Sequence, residues 1–210
     1  MSSVIHKIAC LQNRRDEIPN QELARELADS EDREGIQEIA DNLRNQDVNI
    51  QSDCVKVLYE VGYLKPHLIA NFAVDFIRLL RSRHNRLVWG GMLALSTIAG
   101  VSADVIYPHI AEIQKAMGHG SVITVDAGVL TLATLALSSD DRRREIFPYL
   151  LLHLQTCRPK DVPQHAEKIV LAVNSDYKRP FVEALERRLE DMSSVQARRV
   201  KKVIRDAEKR

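Results

Sequence analysis

Apolar residues recur along this chain at three- and four-residue steps. Between Pro66 and Arg83, Leu68, Ile69, Phe72, Ala73, Phe76, Ile77 and Leu80 keep that spacing, and Asn71, Asp75, Arg78 and Ser82 fall on the opposite stripe. The pattern predicts an amphipathic helix that starts at the proline. Little of the chain alternates with period two, and neither Asn-Gly nor Asp-Gly occurs as a hairpin turn. The most apolar stretch, Leu87 to Val101, contains Gly90, Gly91, Ser96 and Thr97. It falls short of the ~20 residues that cross a bilayer, so it reads as a buried helix of a soluble protein. The expected class is all-α.

The helical face also repeats. Small residues stand at Cys54, Gly91, Gly128 and Ala166, at steps of 37, 37 and 38. Three positions after each come Val57, Ala94, Thr131 and Ile169; four after come Leu58, Leu95, Leu132 and Val170; seven after come Val61, Ile98, Leu135 and Val173. One apolar face is therefore written four times in register, with a small residue where two helices approach closely. A proline follows each of these helices: Pro66, Pro108, Pro148 and Pro180. Proline suits a helix's first turn, where its missing N–H has no intrahelical partner, so each period reads as two antiparallel helices.

The flanks are weaker copies. Leu23, Leu27, Ile36, Ile39, Ala40 and Leu43 suggest a shorter pair, and Ala197, Val200 and Ile204 repeat the face in a last helix with a charged outer side. Polar end units shield the terminal apolar face of a stacked array. The expected organisation is one domain over residues 1–210, with atypical N-terminal helices in 1–46, repeats at 47–83, 84–120, 121–160 and 161–193, and a capping helix at 194–210.

A period in the high thirties built from helix pairs resembles the HEAT and armadillo class. The segment Val88-Trp89-Gly90-Gly91-Met92-Leu93-Ala94-Leu95-Ser96-Thr97-Ile98-Ala99-Gly100 is similar to the Val-Trp-Ala-Leu-x-Asn-Ile-Ala stretch of armadillo repeats in nuclear-import receptors. Ser96 and Thr97 replace the partner-binding asparagine, so the import-receptor function does not carry over. The resemblance implies a right-handed α-solenoid of stacked antiparallel helix pairs, with the second helix of each pair lining the binding surface.

Composition narrows the work such an array does. The chain has 30 Lys+Arg against 29 Asp+Glu, so it does not grip a polyanion by bulk charge. The balance hides a gradient. Residues 1–53 hold 6 basic and 12 acidic side chains, net −6, and residues 178–210 hold 11 and 6, net +5. Such polarity also allows self-association, acidic front to basic end. The beginning of the chain shows no basic segment followed by an apolar one, so no secretory signal is expected and a cytoplasmic location is.

Catalytic and metal-binding motifs are not apparent. No CxxC or Cys/His spacing connects Cys10, Cys54 and Cys157, which read as small packed thiols in a reducing compartment. The seven histidines form no His-x-x-x-His or Glu-x-x-His pair and read as capping, surface or packing residues. Gly118-His119-Gly120-Ser121 follows no strand, so it reads as a turn with Ser121 as an N-cap. Asp140-Asp141-Arg142-Arg143-Arg144-Glu145 reads as a solvated turn and helix start. The cations Arg78, Arg81, Arg83 and Arg86 suit a helix C-terminus. The basic last helix reads as a solvated capping face.

The expectation is a non-enzymatic interaction module without cofactor or metal, which binds a protein or peptide on the polar stripes of the second helices. Those stripes carry Asn71, Asp75, Arg78, Glu112, Lys115, His153, Glu183 and Arg187, of alternating sign. The alternative is DNA binding of the kind found in HEAT-like alkylpurine DNA glycosylases, which this chain resembles in its helical repeats. Those enzymes place aromatic and acidic residues at the centre of a basic surface, whereas Trp89 falls among positions expected to be buried.

Overall fold

A computed structural model describes residues 3–210 of the chain; Met1 and Ser2, where the stretch read for a secretory signal begins, lie outside the described residues. The described residues form helices and turns, with no strand among them. In chain order the helices are α1 (Ile18–Ser30), α2 (Arg33–Asp41), α3 (Val48–Leu64), α4 (Ala73–Leu79), α5 (Asn85–Ile98) and α6 (Ala103–Ile106). They continue with α7 (Ile110–His119), α8 (Val122–Ser138), α9 (Asp140–Thr156), α10 (Val162–Ile169), α11 (Ser175–Glu186) and α12 (Ser194–Glu208). None is long and apolar enough to cross a membrane. Two compact units result, one ending at Gly128 and one running from Val129 to Arg210.

Short polar side chains start many of these helices. Asp32 accepts from Gly35 N–H, Asp47 from Asn49, Ser139 from Arg142 and Asn174 from Tyr177. Ser193 and Gln196 form a reciprocal capping box at α12. Ser121 Oγ accepts from Thr124 N–H at 3.3 Å, the cap expected of it.

The repeated face is the core. Every residue of the four-fold register, from Cys54 through Val173, is buried. Each buried aliphatic side chain contributes about 1.5–3 kcal/mol relative to exposure. In the first unit α3 packs against α1 on one side and α5 on the other, with α2 against α3 and α4 against α5. The small residues mark close approaches. A Cβ on Gly91 stands 2.9 Å from both Phe76 O and Leu79 Cβ of α4, and one on Gly128 stands 2.6 Å from Met117 Cγ of α7. In the second unit α10 packs on α12 and α11 on both α9 and α12. Phe147 of α9 stacks on Tyr177 of α11, with ring centroids 4.6 Å apart, and faces Phe181 at 6.4 Å.

The prolines depart from expectation. Pro66 and Pro108 sit in the 3-10 turns Pro66–Leu68 and Tyr107–His109, ahead of α4 and α7. Pro148 and Pro180 lie inside α9 and α11. Ser139 and Asn174 cap those helices well before the prolines, so Asp140 to Glu145 are the first turns of α9 and not a loop. The carbonyls of Arg144 and Asp176 thereby lose an intrahelical donor, but both prolines are exposed, where water can serve instead. The run Leu68 to Leu80 keeps its buried face although its first part is 3-10 and only Ala73–Leu79 is α-helical.

Candidate functional site

In the first unit the polar stripes of α4 and α7 carry a repeated ion pair. Asp75 accepts from Arg44 at 3.0 Å, and Glu112 accepts from Arg81 at 2.8 Å. Each pair spans 31 positions, and each member lies 37 residues from its counterpart. A local side chain completes each carboxylate: Arg78 reaches Asp75 at 3.3 Å, and His109 Nδ1 lies 2.9 Å from Glu112. One period further on stand Gly118 and Tyr149, which carry no such charge, so the register of the pairs ends there.

Arg81 is 70% exposed at its side chain, so solvent screens its pair with Glu112 and the pair adds little to stability. What it does is hold the carboxylate in place. The Arg81 guanidinium, with His109 behind it, keeps the Glu112 carboxyl below the usual carboxylate range. A carboxyl lowered in the folded state stabilises the protein above the ordinary Glu range, and that contribution is lost as pH falls through the lowered value. In the Arg81→Ala variant the Glu112 titration midpoint is expected to move up toward the ordinary range, read by the pH dependence of its side-chain carboxyl NMR resonance. An unmoved midpoint would show that Arg81 does not set it.

Beside this ladder lies an open cleft of ≈ 660 Å³. Arg81, Arg83, Glu112, Lys115 and His119 supply its polar wall, and Leu80, Val88 and Ala116 its apolar floor. Three permanent cations thus face one carboxylate. Glu112 and Lys115, expected at the site, are brought together here. Asn71 and Arg78 are exposed and Asp75 is partly covered. Arg44, His109 and His119 lie outside the residues expected to bind, although the 37-residue step from Arg44 to Arg81 and from Asp75 to Glu112 is legible in the sequence. The arginine cluster divides: Arg78 and Arg81 serve the ladder, Arg83 lines the cleft, and Arg86 approaches buried Asp53 at 3.3 Å.

In the second unit His153 turns inward, with Nε2 3.0 Å from Nδ1 of His165. Glu183 pairs with Arg179 at 2.7 Å, and Arg187 is exposed just beyond α11. Arg143 and Arg144 pair with Asp140 and Asp141 one turn back, and Arg142 donates to Ser138 Oγ at 3.0 Å. Within the basic last helix, Arg199 grips Glu167 through two hydrogen bonds of 3.0 and 2.8 Å. Lys209 lies 3.6 Å from Asp206, and Arg210 donates to Leu171 O at 3.2 Å.

Trp89 differs from its expected burial. It is partly exposed and tilts against Tyr59 with centroids 6.2 Å apart; Tyr63 stands edge-on to Tyr59 at 6.0 Å. Lys56 Nζ lies 4.9 Å above the Tyr59 ring and is bonded to Glu17 and Glu60 at 2.8 and 2.6 Å. Burial opposes the Lys56 charge, and these hydrogen bonds more than offset it, so its pKa is raised. The indole is engaged in packing on α3.

No family model matches the chain, and no curated protein matches it. Solved structures do. The designed armadillo repeat protein YIII(Dq.V1)4CPAF in complex with peptide (KR)4 aligns over 90% of this chain and 85% of its own, at TM-score 0.70 and 14% identity. Computationally designed armadillo repeat proteins for modular peptide recognition align over 91% and 94%, at 0.65 and 12%. Kap121p bound to Pho4p aligns over 89% of this chain and 21% of its own, at 0.65 and 11%. The fold is therefore that of the armadillo and HEAT repeats. At these identities the likeness speaks to fold alone.

Proposed function

We propose that this chain is a non-enzymatic interaction module that binds an acidic, extended segment of a partner protein along the polar stripes of its second helices. The observation that carries this reading is the cleft beside α7, where Arg81, Arg83 and Lys115 face the single carboxylate of Glu112 above an apolar floor. Arg81 is already committed to Glu112, which leaves Arg83 and Lys115 to meet carboxylates of a ligand. Asn71, Asp75 and Arg78 extend the stripe on the first unit; on the second, Glu183 and Arg187 remain its polar candidates, while His153 turns inward against His165. The structural neighbours solved with a peptide or a protein bound support a role in protein recognition. The DNA-glycosylase alternative has no support in this geometry. Carboxylates recur on the stripe at the repeat period, and Trp89 packs on Tyr59.

Fluorescence anisotropy with labelled (Glu-Leu)4 and (Lys-Leu)4 peptides tests the reading. The acidic peptide is expected to bind, more weakly as salt rises, and the basic one not. Reversing both charges, Arg83→Glu with Lys115→Glu, is expected to cost at least tenfold in affinity. Equal binding of the two peptides, or an affinity that ignores the reversal, would sink it.

A further inference from the structure

The second unit contains a cluster whose donor set is that of a metal site. His153 and Cys157 are four residues apart at the end of α9, a spacing that puts both on one side of a helix. His165, from the middle of α10, comes to meet them. One ligand atom from each of the three lies within 4.8 Å of the other two. The imidazoles approach as neighbours in a coordination sphere do, with His153 Nε2 3.0 Å from His165 Nδ1 and ring centroids 4.9 Å apart. Around a tetrahedral zinc ion, with Zn–N about 2.0–2.1 Å and Zn–S about 2.3 Å, ligand atoms stand about 3.3–3.6 Å apart. The nitrogen pair is slightly closer than that and the 4.8 Å limit lies about an ångström beyond it, so side-chain rotations that move the ligand atoms by up to about an ångström complete the geometry.

We propose that His153, Cys157 and His165 bind a zinc ion through two imidazole nitrogens and one thiolate, with solvent in the fourth position. Thiolate and imidazole together select a borderline-soft ion over magnesium or calcium, which take oxygen ligands. The surroundings hold the ligands in place. His165 is buried, and His153 and Cys157 are half-buried. Buried Arg188 donates to the carbonyls of Leu154 and Cys157 at 2.6 and 2.8 Å, which ties down the backbone that carries the thiol. Two charged groups bear on the ligands: the Asp161 carboxylate, bonded to Arg158 at 2.6 Å, and the Arg188 guanidinium.

Binding has a definite proton balance. The Cys157 S–H bond breaks as the S–Zn bond forms, and the proton passes to solvent. The proton shared between His153 Nε2 and His165 Nδ1 is displaced to the far nitrogen of its ring, so both facing lone pairs reach the metal. Neither a cysteine pair nor a histidine pair at ligand spacing marks this site in the sequence. The signal was a mixed His-x-x-x-Cys pair, and its third member comes from another helix.

Cobalt is the probe. The chelator-treated full chain, titrated with Co²⁺, is expected to develop a thiolate-to-cobalt charge-transfer absorption and the intense visible bands of a four-coordinate ion. Both should saturate at one equivalent and disappear when zinc is added. Cys157→Ser is expected to lose the charge-transfer band, His153→Gln to keep it with affinity reduced more than tenfold, and Cys10→Ser to behave as the parent. A measurement on the unaltered chain accompanies the variants: zinc should slow alkylation of Cys157 by iodoacetamide and leave Cys10 unaffected, as mapped by peptide mass. The proposal is overturned if no charge-transfer band forms, if the band survives Cys157→Ser, or if zinc fails to protect Cys157 selectively. In any of those outcomes the cluster is a packed histidine pair beside a thiol.

Discussion

Arg188→Ala is expected to destabilise the protein by about 3 kcal/mol. The last carbonyls of a helix have no intrahelical donor and carry the negative end of its dipole. At the end of α9 the Arg188 guanidinium serves two of them, Leu154 O and Cys157 O, from a position only 8% exposed. Its Nε also lies 3.4 Å from Asp191. Alanine strands both acceptors, at about 1–3 kcal/mol for each that water does not reach, and deletes the packed stem. Arg188→Lys should recover only part of the loss, because an ammonium is a point donor and does not span two carbonyls as a planar fork does. Urea titration checks this, with the midpoint expected to fall at unchanged slope. A loss below about 1 kcal/mol for the alanine variant would mean that water reaches the carbonyls.

Gly91→Val is the second large effect, again about 3 kcal/mol. A side chain there meets Phe76 O and Leu79 Cβ at 2.9 Å, and neither atom can rotate away, so α5 must move off α4. Distance alone does not rank such sites. At Gly128 the contact is shorter, 2.6 Å, but it is made by the Met117 thioether, which swings aside. Gly128→Ala should therefore cost less than Gly91→Ala, despite the tighter geometry. Gly118→Ala has nothing within 4 Å and should stabilise by up to about 1 kcal/mol through helix propensity. Thermal unfolding of the three alanine variants gives the order directly. If Gly91→Ala proves the mildest, the close approach of α4 and α5 is not what the glycine serves.

These expectations show how much was legible before the structure. Residues Cys54 to Val173 of the repeated face could be named as core because a buried helical stripe leaves a 3.6-residue period. Stacking identical stripes leaves a 37-residue one, and both are properties of sequence order. Helix starts were harder. Proline is compatible with a first turn, but compatibility does not exclude the interior. At Pro148 and Pro180 the competing signals, Ser139 and Asn174, won because a cap satisfies N–H groups that a proline only tolerates losing.

By itself the sequence determined the helical class, the period, the apolar face and the places where only a small residue fits, since all of these are one-dimensional patterns of size and polarity. It also placed Glu112 and Lys115 on a polar stripe. Only the tertiary structure decided which charges are spent. Arg81 on Glu112, Arg44 on Asp75 and Arg199 on Glu167 each join positions some thirty residues apart, leaving Arg83 and Lys115 at the cleft. It also brought His165 to His153 and Cys157. Such meetings depend on the direction of side chains across a helix–helix contact, which the repeat period constrains for the backbone but not for the groups it carries.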